Sequence, residues 1–275
     1  MRYVESGSWY EGLYPDKAPV IPAARSFSCI HDGGARSCVL LVHGYAGYPG
    51  ELVSPALALY QAGFDCHVPR LPGMGTSGED FINTSSDDWL GLVDHALADL
   101  ERRYERVFLL GHSMGCLLCV IAQTGGRCDG MVLAMPAFSI PSLDGDAMRE
   151  LSRHRKDVPA SWSQDLRYHL HYENAPCDDP VLGREYYSHV YPAQLYQMSL
   201  LSTRARAAME HLAVPTLILA SHSDAVVDGD ACARYADVAH LVYIEGATHF
   251  VFYDIDPGCE RRALDETVSF LSRLG

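Results

Sequence analysis

The sequence is short of positive charge: 21 lysines and arginines face 35 aspartates and glutamates, a formal net charge of -14 in 275 residues. Such a surface repels phosphate backbones and anionic headgroups, which argues against nucleic acid and anionic membrane surfaces as partners. Long apolar runs are also missing; none approaches the roughly 20 residues needed to cross a bilayer, so no integral membrane segment is expected. The opening residues Met1-Arg2-Tyr3-Val4-Glu5-Ser6-Gly7 lack the apolar core and small-residue cleavage site of a secretory leader. Cysteine is present but unclustered: nine residues, an odd number without ligand-like spacing, in a chain too long to need disulfide staples. Cys116-x-x-Cys119 falls inside an apolar stretch and reads as two small core residues, not a redox or metal pair. A cytoplasmic location is the expectation. Internal repeats and low-complexity segments are absent.

What is present describes an ordinary globular protein, with 48% hydrophobic and 20% charged residues and enough length for one α/β domain with an insertion. Residues 1 to about 25 show no clear period. Ser26–Ile30 and the apolar Cys38–Val42 read as strands joined in a hairpin through His31-Asp32-Gly33-Gly34, the second having the character of a central strand covered on both faces. A helix near Ser54–Ala62, a strand near Asp65–Val68 and a glycine- and proline-rich loop from Arg70 to Gly78 follow. Ser85 or Ser86 caps a helix with an apolar stripe of Trp89, Leu92, Val93, Ala96, Leu97 and Leu100. Strands at Arg106–Leu110 and Met131–Met135 flank an apolar helix from Met114 to Ala122. The alternation breaks from Pro136 to Ala213, a stretch with charge clusters such as Arg149–Asp157 and many aromatics (Trp162, Tyr168, Tyr172, Tyr186, Tyr187, Tyr191, Tyr196), which reads as a largely helical insertion. It resumes with Thr216–Ala220, a helix near Gly229–Ala236, a strand at Leu241–Ile244 and a last helix burying Leu264, Thr267, Val268, Leu271 and Leu274. Alternating β and α elements imply a mostly parallel sheet with helices on both faces.

The chain centres on Gly111-His112-Ser113-Met114-Gly115, between a buried strand and an apolar helix. A serine at such a junction, with glycines two before and two after, matches the nucleophile elbow pattern Gly-x-Ser-x-Gly. A side chain at either glycine would strike the neighbouring strand or helix, and the serine is expected in a strained, exposed position at the positive end of the helix. Serine chemistry needs a base and an acid that orients it. Two later strand ends supply them: Ser221-His222-Ser223-Asp224, and Glu245-Gly246-Ala247-Thr248-His249. Asp228 and Asp254 are alternative acids, though Asp228 is better placed as a helix N-cap and Asp254 lies beyond His249. His222 and His240 are alternative bases, one preceding the acid and the other its own strand.

With Ser113, Asp224 and His249 in that order, the sequence resembles the α/β-hydrolase superfamily, and within it the carboxylesterase and monoacylglycerol lipase-like serine hydrolases. The resemblance runs from Cys38 to Leu274 apart from the insertion. It rests on His43-Gly44, Pro72-Gly73-x-Gly75-x-Ser77, the elbow, Asp224-x-Val226-Val227 and Gly246-x-x-His249. It implies an α/β-hydrolase core in residues 1–135 and 214–275, with a cap, or lid, in 136–213. It further implies Ser113 as nucleophile, His249 as general base then acid, Asp224 as its carboxylate, and the backbone N–H groups of Tyr45 and Met114 as the oxyanion hole. His43, Gly44, Gly111, His112 and Gly115 would support these groups, and the Tyr45 hydroxyl is a further candidate donor. Two residues depart from the pattern: Met74 where relatives often have histidine, and Cys116 where many have a third glycine.

The expected activity is hydrolysis of a small to medium uncharged acyl ester through an acyl-enzyme, without metal or organic cofactor. Thioester, amide or peptide, acyl-transfer or carbon–carbon bond chemistry on the same triad, or a ligand-binding protein that has lost catalysis, are the rival readings. Oligomeric state is not legible.

Overall fold

The computed structural model describes residues 2–5, 18, 20–161, 163, 165–168 and 188–275. The strands are β1 (Arg2–Glu5), β2 (Phe27–Ile30), β3 (Ser37–Val42), β4 (Asp65–Val68), β5 (Arg106–His112), β6 (Gly130–Ala134), β7 (Val158–Pro159), β8 (His189–Val190), β9 (Thr216–Ala220) and β10 (His240–Tyr243). Eight of them form one sheet in the order β1-β2-β4-β3-β5-β6-β9-β10. From β4 to β10 every neighbouring pair is parallel, whereas β1 and β2 are antiparallel additions at one edge. Every residue of β3 is buried, as its apolar run requires of a strand with helices on both faces.

The expected hairpin is not formed. β2 and β3 are both strands, but β4 lies between them, antiparallel to β2 and parallel to β3. The reason is Asp65, the first residue of β4. Its carboxylate accepts the N–H of His31 at 2.8 Å and of Ala35 at 3.2 Å, and the Tyr104 hydroxyl donates to it at 3.0 Å. The 31–36 turn therefore wraps around the start of β4 instead of closing onto its own strands. β1 was also missed, since residues 2–5 find their pattern only by pairing with β2.

The helices flank this sheet. α1 (Val53–Gln61) follows β3, and α2 (Gly78–Ile82) is a single turn within the glycine-rich loop, capped by Ser77, which accepts the Asp80 N–H. α3 (Ser86–Arg103) buries Trp89, Leu92, Val93, Ala96, Leu97 and Leu100, the stripe expected from its spacing, and opens with the Ser85 N–H donating to Asp88 at 2.8 Å. α4 (Met114–Ala122) is almost wholly buried. Between β6 and β9 lie α5 (Gly145–Ser152), the small β7–β8 ribbon, and α6 (Pro192–Met209). The ribbon was not anticipated; it is too short for a periodic signal. Trp162, Tyr172, Tyr186 and Tyr187 lie outside the described residues. Gly229–Tyr235 turns as a 3-10 helix, and α7 (Pro257–Ser272) closes the fold over Ala263, Thr267 and Leu271. Among the described residues no helix is long and apolar enough to cross a membrane.

Burial pushes the Asp65 carboxyl up, but the bonds it accepts from His31, Ala35 and Tyr104 outweigh this and hold it below its ordinary value. A depressed carboxyl contributes stability that is complete above its unfolded pKa of about 3.9 and is lost as pH falls through the folded value. Asp65→Asn is therefore expected to lower stability at neutral pH and to flatten the acid limb of a urea-denaturation series between about pH 5 and 2. An unchanged acid limb would contradict this account.

Candidate active site

The turn from β5 into α4 holds Ser113 at φ 54°, ψ -116°. That is a left-handed conformation a non-glycine residue adopts only where its surroundings enforce it. The enforcement is visible at the flanking glycines. A Cβ on Gly111 would stand 2.5 Å from the Cys116 backbone nitrogen, and one on Gly115 would stand 2.0 Å from the Val42 carbonyl oxygen. The helix thus presses directly on the end of β3. The Ser113 N–H donates to the Ala134 carbonyl at 3.0 Å, tying the turn to the end of β6. Ser113 is strained as expected but not exposed: only 7% of it is accessible, and it faces a cavity, not the surface.

The loops after β9 and β10 bring Asp224 and His249 together. Asp224 Oδ1 accepts the N–H groups of Val226 at 2.7 Å and Val227 at 2.9 Å, while Oδ2 faces His249 Nδ1 at 2.8 Å. One oxygen fixes the carboxylate in its own loop; the other fixes the imidazole. Burial raises the Asp224 carboxyl, but His249 and these N–H groups prevail and leave it below its ordinary value. An ionised Asp224 requires the proton on Nδ1 of His249, which leaves Nε2 as the acceptor.

The rival residues have other partners. Asp228 caps the 3-10 helix by accepting the Asp230 N–H at 3.1 Å. Asp254 accepts both the Thr248 N–H at 2.6 Å and the Thr248 hydroxyl at 2.7 Å, so it anchors the residue before His249. His222 meets Asp230 at 2.6 Å and stacks on Tyr243, and His240 is exposed on the strand edge. His43 is fully buried and its Nε2 accepts the Leu71 N–H at 3.0 Å, so the ring is neutral; burial lowers its pKa to about 4.

Tyr45 follows β3 on the loop facing the elbow, and Met114 opens α4, where an N–H has no acceptor within the helix. The Tyr45 ring packs edge-on to Phe81 and Trp89, and its hydroxyl is buried with no hydrogen-bond partner among the described residues. An unpaired hydroxyl keeps its proton to donate, so it stays a candidate donor beside the backbone N–H. A residue the sequence did not single out stands beside this loop. Glu51 is 3% exposed, accepts the N–H of Gly44 at 3.3 Å and of Tyr48 at 3.0 Å, and meets His112 Nδ1 at 2.8 Å. Its signal was a lone acidic residue in the otherwise apolar run Tyr48-Pro49-Gly50-Glu51-Leu52-Val53.

Ser113, His249 and Tyr45 line one cavity of about 350 Å³. Its walls include Val226, Val227 and Phe250 from the sheet side, and Ile140, Ser142, Ser161, Ser163, Tyr168, Leu195 and Met198 from the segment between β6 and β9. Among the described residues no group of three or more histidine, cysteine, aspartate or glutamate side chains is placed to hold a metal ion.

A family model described as the alpha/beta hydrolase family matches residues 39–260. The chain belongs to that family. The thermostable monoacylglycerol lipase of Bacillus sp. (strain H-257) is 28% identical over 226 residues, 79% of this chain and 84% of that one. Of the solved structures, one reported for the metagenome-derived lipolytic enzymes LipS and LipT superposes with a TM-score of 0.78 at 23% identity, over 93% of this chain and 100% of that one. A soluble variant of monoglyceride lipase from Saccharomyces cerevisiae gives 0.73 at 16% identity, covering 96% of each chain. These structural likenesses show the α/β-hydrolase fold. The two departures from the family pattern are accommodated locally: Met74 is fully buried, and the Cys116 thiol turns to the carbonyls of Gly111 at 3.1 Å and Ala134 at 3.3 Å.

The contact between α4 and β3 can be tested directly. Gly115→Ala puts a methyl group against the Val42 carbonyl and is expected to cost about 1–3 kcal/mol of stability by chemical denaturation, the usual penalty for overpacking. A variant as stable as the parent would show that the helix can shift away at no cost.

Proposed function

We propose that the protein is a serine hydrolase that cleaves carboxylic esters through an acyl-enzyme. The observation that carries this reading is the convergence, on one cavity, of a strained serine at a helix N-terminus and an imidazole whose other nitrogen is held by an ionised aspartate. The similarity to a monoacylglycerol lipase over most of both chains supports it.

In this reading Ser113 Oγ attacks the ester carbonyl carbon while His249 Nε2 removes its proton. The negative charge that develops on the carbonyl oxygen is met by the N–H groups of Tyr45 and Met114, and Asp224 stabilises the imidazolium. The tetrahedral intermediate collapses as His249 returns the proton to the leaving alcohol. Water, activated by the same imidazole, then releases the acid and restores Ser113. No step calls for a metal or organic cofactor.

We assign residues 136–213 as the cap, because Ile140, Ser142, Ser161, Ser163, Tyr168, Leu195 and Met198 from this segment line the cavity. The substrate is a small to medium uncharged acyl ester with an aliphatic or aromatic group. Ile140, Leu195, Met198, Val226, Val227 and Phe250 offer an apolar lining, no lysine or arginine lines the cavity among the described residues, and the one carboxylate, Glu51, is engaged with His112 and backbone N–H groups.

Ser113→Ala is expected to abolish both p-nitrophenyl ester turnover and fluorophosphonate labelling, and Asp224→Asn to lower kcat by about 10⁴-fold, as loss of the orienting carboxylate does in serine hydrolases generally. Turnover or labelling that survives Ser113→Ala would refute the assignment. Thioester, amide and diketone substrates assayed beside an ester series separate the other reactions such a triad can perform; faster turnover of any of these would replace ester hydrolysis as the activity.

A further inference from the structure

The carboxylate of Glu51 and the imidazole of His112 are each 3% exposed and belong to no step of the proposed mechanism. Their connections nonetheless reach three parts of the site. Glu51 gathers the loop after β3: it accepts the N–H groups of Gly44 and Tyr48, which bracket Tyr45. The loop closes tightly around it, for a Cβ on Gly47 would lie 1.7 Å from Glu51 Oε1, and Ala46 is held at φ 52°. His112 precedes the nucleophile at the end of β5. Its Nδ1 faces Glu51 Oε2 at 2.8 Å, and its Nε2 faces the backbone carbonyl of His249, also at 2.8 Å.

The protonation of His112 follows from these partners. A carbonyl oxygen only accepts, so Nε2 carries a proton. Two backbone N–H groups converge on the Glu51 carboxylate and favour its ionised form; an ionised carboxylate only accepts, so Nδ1, facing it at 2.8 Å, carries a proton as well. His112 is thus an imidazolium, with Glu51 and Asp224 as the acidic groups around it and His43 and His249 as the basic ones. Burial lowers the His112 pKa, but the bond to Glu51 and its charge reverse this and raise it; Glu51 is correspondingly held below its ordinary value against burial.

We propose that this buried ion pair is a positioning clamp for the ester hydrolysis inferred above, fixing the Tyr45 N–H and the His249 backbone relative to each other through the strand that carries Ser113. It rests on the serine-hydrolase reading. A pair kept for stability alone would be an inefficient device, because buried ion pairs are commonly replaced by apolar residues without loss. What this pair joins is two loops that follow strands not paired with each other, β3 and β10, one carrying an oxyanion donor and the other the base. Neither Glu51 nor His112 is a catalytic residue in this account; both act through the groups they hold.

The test uses Glu51→Gln, His112→Asn and the double variant, with kcat counted per active site titrated by a fluorophosphonate. Each single variant is expected to lower kcat by about 10²-fold, the scale of a small misplacement of catalytic groups, with KM little changed. The double variant is expected to be no slower than the worse single variant, since the two residues act as a unit. Reduced thermal stability with parental kcat per titrated site would mean a structural pair only and would overturn the clamp. ¹⁵N-histidine NMR of the parent protein needs no variant and guards against a substitution that fails to fold: two protonated nitrogens at His112 at pH 7.5 are expected, and a neutral ring would overturn the proposal. If the parent is not labelled at Ser113, the serine-hydrolase reading falls and the clamp with it; if the parent is labelled and the variants keep their kcat, the clamp alone falls.

Discussion

The contact between the first turn of α4 and the end of β3 is the constraint on which the site depends. With no room for a single methyl group between Gly115 and the Val42 carbonyl, the helix can reach this position only if the chain reverses within one residue, and that residue is Ser113. A left-handed serine costs about 1–3 kcal/mol, which is sustainable because β3, β5 and α4 are almost entirely buried around it. The same closeness sets the other distances. The loop that leaves β3 begins one residue beyond Val42, so Gly44 lies against the Ser113 side chain, where an added Cβ would meet its Cβ at 3.3 Å. Strain at the serine and proximity of the loop are two results of one packing decision.

Around this turn, buried carboxylates do the work of ordering loops. Asp224 divides its oxygens between the backbone of its own loop and His249; Glu51 divides its own between the loop after β3 and His112; Asp254 holds both the N–H and the hydroxyl of Thr248. Each satisfies several donors, which is the condition for keeping a charge inside a protein. Histidine shows how far partners decide chemistry here. His43 and His112 lie at the ends of adjacent central strands and both are buried, yet His43 accepts an N–H and burial holds it neutral, whereas His112 faces two acceptors and its pKa is raised by Glu51.

The sequence made the parallel sheet and the order of serine, aspartate and histidine legible because these depend on local signals: apolar runs, glycine spacing, and residues just past strand ends. It could not show that β4 separates β2 from β3, since that rests on Asp65 reaching back more than thirty residues to the His31 N–H. Glu51, although it stands alone in an apolar run, was passed over for the same reason. A glutamate before an apolar helix reads as a solvated first-turn residue, and only its contact with His112, 61 residues away, reveals it as buried. Ser113 was placed correctly in its strained turn but not in its exposure, because the roof over it comes from a segment without periodic pattern.

That roof is fixed to the core along α6, and this bears on what reaches Ser113. Along α6 the side that supplies Leu195 and Met198 is bolted to the core: Gln194 Nε2 donates to the carbonyls of Ile82 and Thr84 at 3.1 Å each, and Ser202 and Arg206 donate to the Phe138 carbonyl at 2.8 and 2.7 Å. Ser161, Ser163 and Tyr168 line the same cavity, with the Tyr168 hydroxyl 3.5 Å from the Ala225 carbonyl and its ring exposed. Apolar side chains fixed by helix packing and buried hydrogen bonds form a wall of constant shape, suited to an acyl chain. Exposed hydroxyl-bearing residues at the rim can exchange water for a polar group without leaving a buried donor unpaired. The cavity therefore presents two kinds of surface, an apolar wall along α6 and a hydroxyl-bearing rim at Ser161, Ser163 and Tyr168.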